Sequence, residues 1–102
     1  MTISNQVTLT ATLLEKQALR LTPAGIPILE VTLLHESEQQ QNGMPRRVTL
    51  EAVAKITGPL AKRFVEQVAI GQALQIGGFL ASAGQKQRNR LVLHIEQYEL
   101  LN

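Results

Sequence analysis

The sequence predicts an all-β fold: a five-stranded barrel in one domain, residues 1–102, with one short helix between the third and fourth strands. Three observations predict it. Several stretches alternate apolar and polar residues at period two, turn residues separate them, and glycines fall inside a strand where a closing barrel must bend.

The first strand runs from Val7 to Glu15. Val7, Leu9, Ala11 and Leu13 alternate with threonines, as a half-buried strand requires. Arg20 belongs to the connection that follows, where Thr22-Pro23-Ala24-Gly25 signals a turn. The second strand spans Ile28 to His35, with Leu29, Val31, Leu33 and His35 on one face, and Pro27 at its start, where a strand tolerates proline. Residues 37–45 are polar and read as a loop with Asn42-Gly43, a strong hairpin signal, near its tip. The return strand covers about Arg46 to Ala54, with Val48, Leu50 and Ala52 facing one way.

Gly58-Pro59 opens a helix to about Val68, and Leu60, Phe64 and Val68 recur at helical spacing as its buried stripe. The fourth strand is Ala73 to Ala81, with Leu74, Ile76 and Leu80 on one face, Phe79 assigned to the core, and Gly77-Gly78 inside it. Residues 82–90 form a basic hairpin loop. The last strand, Leu91 to Leu100, alternates Leu91, Leu93 and Ile95 against Val92, His94 and Glu96. Five strands with a helix after the third is the order of an OB-fold, and a barrel leaves the fewest exposed strand edges.

Composition narrows the function classes. The chain has no cysteine, which excludes disulfides and thiolate metal sites and fits a reducing compartment. It has no apolar run of the ~18 residues a membrane helix needs, and Met1 to Asn5 lack the basic-then-apolar pattern of a signal peptide, so a cytoplasmic location is expected and no membrane partner. Ten Lys and Arg against eight Asp and Glu give a formal charge of +2, a weak bias in which the placement of the charges matters more than their sum. There is no phosphate-binding glycine loop and no nucleophile elbow, the acids are all glutamates and scattered, and His35 and His94 stand on different strands. No enzyme activity, cofactor or metal is expected, since zinc takes three or four convergent ligands.

Asn5, Val7, Leu9, Leu19-Arg20 and Thr22-Pro23-Ala24-Gly25-Ile26-Pro27 resemble the opening of bacterial single-stranded-DNA-binding proteins. Together with His35-Glu36-Ser37, Gly71, Gly78-Phe79 and the closing Val92-Leu93-His94-Ile95-Glu96-Gln97-Tyr98-Glu99-Leu100, they resemble the primosomal replication protein N family, the PriB type, more closely. The similarity covers nearly the whole chain, strongest at both ends. The end of the chain just after the last strand, without the long acidic-tipped tail of ordinary single-strand binders, is expected of that family. The resemblance implies a homodimer that binds single-stranded DNA in the replication-restart primosome, beside the restart helicase PriA and ahead of later loading factors. Members of the family can carry a tryptophan on the third strand, where this chain has Arg47-Val48-Thr49-Leu50, and Glu36 stands where some relatives have a basic residue. Both departures are expected to weaken DNA binding, because a stacked base is worth roughly 1–3 kcal/mol.

The candidate DNA-binding residues are Arg20, Met44, Arg46, Arg47, Lys86, Arg88 and Arg90. Lys86, Arg88 and Arg90 recur at period two, so an extended loop would aim all three at one phosphate track; the plainer reading is a solvated loop. Arg46 and Arg47 follow the polar loop, and a strand can present only one of an adjacent pair to DNA. Met44 offers a soft contact at the loop tip. Lys62 and Arg63 on the helix read as a solvated face. Two alternatives stay open: a dimeric helicase-binding module with weak or negligible DNA binding, and an RNA-binding OB-fold of translation.

Overall fold

In a computed structural model that describes residues 2–101, the chain forms β1 (Val7–Lys16), β2 (Arg20–Leu21), β3 (Pro27–Gln41), β4 (Met44–Thr57), α1 (Pro59–Gln67), β5 (Ala73–Ser82) and β6 (Leu91–Leu100). The strands follow the order β1-β5-β6-β4-β3-β2, and β1 also pairs with β3, which closes β1, β5, β6, β4 and β3 into the expected barrel. The helix lies between β4 and β5, not between a third and fourth strand, because Arg20–Leu21 pairs with Pro27–Ile28 as a short strand of its own. Two residues are too few for a periodic signal, so the sequence reads them as connection.

Closure depends on β1 changing partners. Val7 to Thr12 pair with β5 and Thr12 to Lys16 with β3, with a register shift between Leu13 and Glu15 that leaves Leu14 outside the ladder and exposed. A second shift, at Gly77/Gly78, skips Glu96 in β6. The residues facing the core therefore change from Leu93 and Ile95 to Tyr98, which packs edge-on against Phe64 of α1 with ring centroids 5.1 Å apart. The buried cluster joins Ala11, Leu13, Leu29, Val31 and Leu33 from one wall to Ala54, Ile56, Leu74, Ile76, Leu93 and Ile95 from the others, and Ala61, Phe64 and Val68 stopper one end. No side chain in it is polar.

The hairpin of β3 and β4 is much longer than its sequence pattern suggests. Residues 37–45, read as a loop, belong to one antiparallel ladder that runs from Ile28↔Thr57 to Gln41↔Met44. Beyond Leu34↔Glu51 the arm leaves the barrel and both faces meet water, so nothing demands apolar alternation there. Its two-residue turn has positive φ at both positions, 54° at Asn42 and 75° at Gly43, as a type I′ turn needs. Val48 and Leu50 consequently sit on the half-exposed arm, while Ala54 and Ile56 supply the buried end of β4.

Phe79, assigned above to the core, is half-buried and stacks flat on His94, with centroids 5.0 Å apart and rings within 4° of parallel. Leu80 and Leu91, expected to face inward, are 37% and 59% exposed, and Val92 is buried in place of Leu91. No helix among the described residues is long and apolar enough to cross a membrane.

Candidate nucleic-acid interface

Burial of Leu29, Val31 and Leu33 sets the two faces of the long hairpin by strand alternation. Glu30, Thr32, Leu34, Glu36 and Glu38 of β3 face outward, opposite Lys55, Val53, Glu51, Thr49 and Arg47 of β4. His35, Ser37, Gln39 and Gln41 continue the inner face, opposite Leu50, Val48, Arg46 and Met44. The predicted residues divide accordingly. Arg47 lies on the outer face, whereas Arg46 and Met44 lie on the other side of the arm.

Arg20 reaches the outer face from β2, where its Nη2 donates to Glu30 Oε1 over 3.3 Å. Lys55 Nζ approaches the same oxygen at 3.5 Å. Arg47 Nη2 donates to Glu36 Oε2 over 2.8 Å. These cations are therefore already paired. Arg46 donates to the side-chain oxygen of Gln41, and Met44 is 68% exposed at the tip.

The loop from Ala83 to Arg90 is folded back on itself and not extended. Gln87 N donates to Gly84 O over 3.0 Å, Arg90 N to Gln87 O over 3.1 Å, and Ala83 N to Arg90 O over 2.8 Å. The alternation expected to align Lys86, Arg88 and Arg90 therefore does not exist, because tight turns rotate successive side chains by unequal angles. All three are exposed, and none forms a salt bridge among the described residues. Arg90 closes one side of a groove of about 370 Å³, whose other walls include Glu30, Lys55, Val53 and Leu91. The structure thus joins Arg90 with Arg20 through Glu30 and Lys55. It leaves Met44 and Arg46 apart from them.

Sequence reasoning alone does not single out Lys55, Val53 or Leu91 for the site. The apolar alternation ends the strand near Ala54 and assigns Leu91 to the core. Lys55 carries a usable signal, being two residues beyond Val53 on the same face of a strand that continues to Ile56. The groove's apolar lining is aliphatic, and no aromatic stands on the outer face of β3 or β4.

Two polar contacts hold this region in place. His35 Nδ1 lies 2.7 Å from Thr10 O and Nε2 lies 2.8 Å from Ser37 Oγ. A carbonyl only accepts, so Nδ1 carries the proton and the ring ties the exit of β3 to β1. At the far side, burial raises the Tyr98 phenol above its ordinary pKa, partly offset by Arg63, while its hydroxyl donates to Gln67.

Comparison with known proteins gives a consistent set of likenesses. Residues 5–97 match the model of a family described as another single-strand binding protein family. The replication restart protein PriB of Bordetella pertussis is 43% identical over 93 residues, covering 91% of this chain and 85% of that protein. The solved structure of PriB from Ralstonia solanacearum superposes with a TM-score of 0.86 at 31% identity, over 98% of this chain and all of that one. The single-stranded DNA binding protein of Thermus aquaticus shares the fold, with a TM-score of 0.78 at 24% identity, over 97% of this chain and 50% of its own.

Proposed function

Because the chain belongs to the PriB replication restart proteins, within a single-strand binding protein family, we propose that it binds single-stranded DNA as an accessory of the replication-restart primosome. It works by holding exposed strand and stabilising the restart helicase PriA on DNA, with no reaction of its own. The observation that carries this reading is the groove between the outer hairpin face and the 83–90 loop, lined by Arg90 and Lys55 and by the exposed aliphatic side chains of Val53 and Leu91. Its cations take phosphates, and its aliphatic side chains accept bases of any identity, so binding is sequence-tolerant. Lys86 and Arg88 extend the phosphate track along the loop. A strand that continues along the hairpin meets Arg20 and Arg47 on its outer face, and reaches Arg46 and Met44 only by wrapping round the arm.

The protein acts as a homodimer. Among the described residues β1 pairs with β3 only from Thr12 to Lys16, so the Val7–Ala11 edge away from β5 carries no ladder with β3 and, apart from Thr10 O, which His35 Nδ1 meets, is left for a second copy. A two-fold axis there repeats every basic cluster.

Titration with fluorescent dT oligonucleotides at several salt concentrations, with duplex DNA as control, tests the reading. Single-strand binding that weakens steeply with salt is expected. No binding at low salt overturns it in favour of a helicase-interaction module, the reading that the absent aromatic on the outer face of β4 favours.

A further inference from the structure

We propose, resting on the single-strand reading above, that Glu30 is an internal competitor for DNA phosphate, which holds Arg20 and Lys55 and so limits how many cations a strand engages. One carboxylate oxygen takes both cations, at 3.3 Å from Arg20 Nη2 and 3.5 Å from Lys55 Nζ. The three residues come from three neighbouring strands, β2, β3 and β4, and Glu30 stands directly opposite Lys55 in the ladder. An anionic oxygen bridging two cations on the outer face of an OB barrel occupies the place a phosphate oxygen would take.

Exposure makes the contact both anchored and accessible. The side chains of Glu30 and Lys55 are 26% and 31% exposed, and that of Arg20 is 61%. A strand that engages Arg20 and Lys55 must displace Glu30 and leave a free carboxylate in the same groove as its phosphates. Lys86, Arg88 and Arg90 carry no such penalty, having no salt bridge among the described residues. The loop therefore binds first and supplies most of the affinity, and the hairpin cations add little while Glu30 keeps its charge. Arg47 and Glu36 pair at 2.8 Å in the same manner, but that carboxylate holds one cation and is 48% exposed, so solvent and salt screen it more.

The experiment uses the full chain, dT oligonucleotides and a thermal melt of each variant. Glu30→Gln keeps the side chain's size and removes its charge. Its affinity at low salt is expected to rise about two- to thirtyfold, the range of two surface ion pairs released. The salt dependence is expected to steepen by about 1.4 in log–log slope, two cations at about 0.7 each on single strands. The same substitution in an Arg20→Gln/Lys55→Gln background is expected to give a smaller gain and no steepening of the salt dependence, because it releases no cation there. In that double variant alone Glu30 is left uncompensated and affinity falls, but the salt slope is expected to stay close to the wild-type slope, because cations that Glu30 already holds contribute little to the counterion release of the wild type. This last measurement stands whether or not Glu30→Gln folds.

If the wild type binds and Glu30→Gln binds no better, the competitor role falls and the single-strand reading survives. A gain of equal size in the double-variant background also overturns it, because the effect is then general loss of negative charge. A salt slope that falls by about 1.4 in the double variant overturns it from the other side, because Arg20 and Lys55 then already engage phosphate in the wild type. If neither wild type nor Glu30→Gln binds at low salt, both readings fall.

Discussion

Gly78 illustrates how a single position carries the barrel. A Cβ there would lie 1.8 Å from the carbonyl oxygen of His94 and 3.2 Å from the Ile95 Cα, which are backbone atoms of the partner strand. They cannot yield without breaking the ladder at the point where Glu96 is skipped. Gly78→Ala is expected to destabilise the protein by about 3 kcal/mol or more, the upper range for overpacking, in a chemical-denaturation experiment. Gly84, in the basic loop, would place a methyl group in open space with nothing within 4 Å, so Gly84→Ala is expected to change stability by no more than about 0.5 kcal/mol. Equal effects of the two substitutions would refute this role of the β5–β6 contact. The same scale holds the ion pairs of the outer face, where Glu30 and Glu36 decide which cations are free.

Among the elements, α1 is the one whose ends need help from elsewhere. Its N-cap is Gly58, which offers no side-chain oxygen, and Pro59 follows in the first turn. No basic residue stands in its last turn. The missing cation comes from β1: Lys16 Nζ donates to Val65 O over 3.3 Å and to Val68 O over 3.0 Å, satisfying carbonyls the helix leaves open. Lys16→Met keeps the aliphatic stem and removes the donor. It is expected to cost about 1 kcal/mol, with the loss seen as faster hydrogen exchange at the C-terminal turn of α1 and unchanged DNA affinity. A fall in DNA affinity with intact stability would instead place Lys16 in the interface.

For the molecule as a whole, net charge is a poor guide. A formal +2 conceals an outer hairpin face that carries Glu30, Glu36, Glu38 and Glu51 against Lys55 and Arg47, beside a loop whose cations form no salt bridge among the described residues. Replacing Lys86, Arg88 and Arg90 together by Ala is expected to flatten the salt dependence of single-strand binding by about 2 per protomer, three phosphate contacts at about 0.7 each. Melting temperature should not move, because these exposed side chains pack against nothing in the core. An unchanged slope would shift the phosphate track to the hairpin.

The sequence by itself determined the strands whose residues the core must bury. Leu9 to Leu13, Leu29 to Leu33, Leu74 to Ile76 and Leu93 to Ile95 alternate because one face of each meets the barrel interior, and the Phe64 and Val68 stripe follows from the same demand on a helix. It also determined the Asn42-Gly43 turn, since positive φ at two successive positions restricts the residues allowed. Wherever burial made no demand, periodicity was silent. The solvent-washed arm from Ser37 to Arg46 reads as a loop, and Arg20–Leu21 as a connection, although both are paired strand. The tertiary structure alone decided the site. Which cations meet a carboxylate depends on cross-strand register, as with Lys55 opposite Glu30. The skip of Glu96 likewise turns Tyr98 to a face no local pattern announces. Charges on a surface pair through space, and sequence spacing constrains that pairing only within a single element.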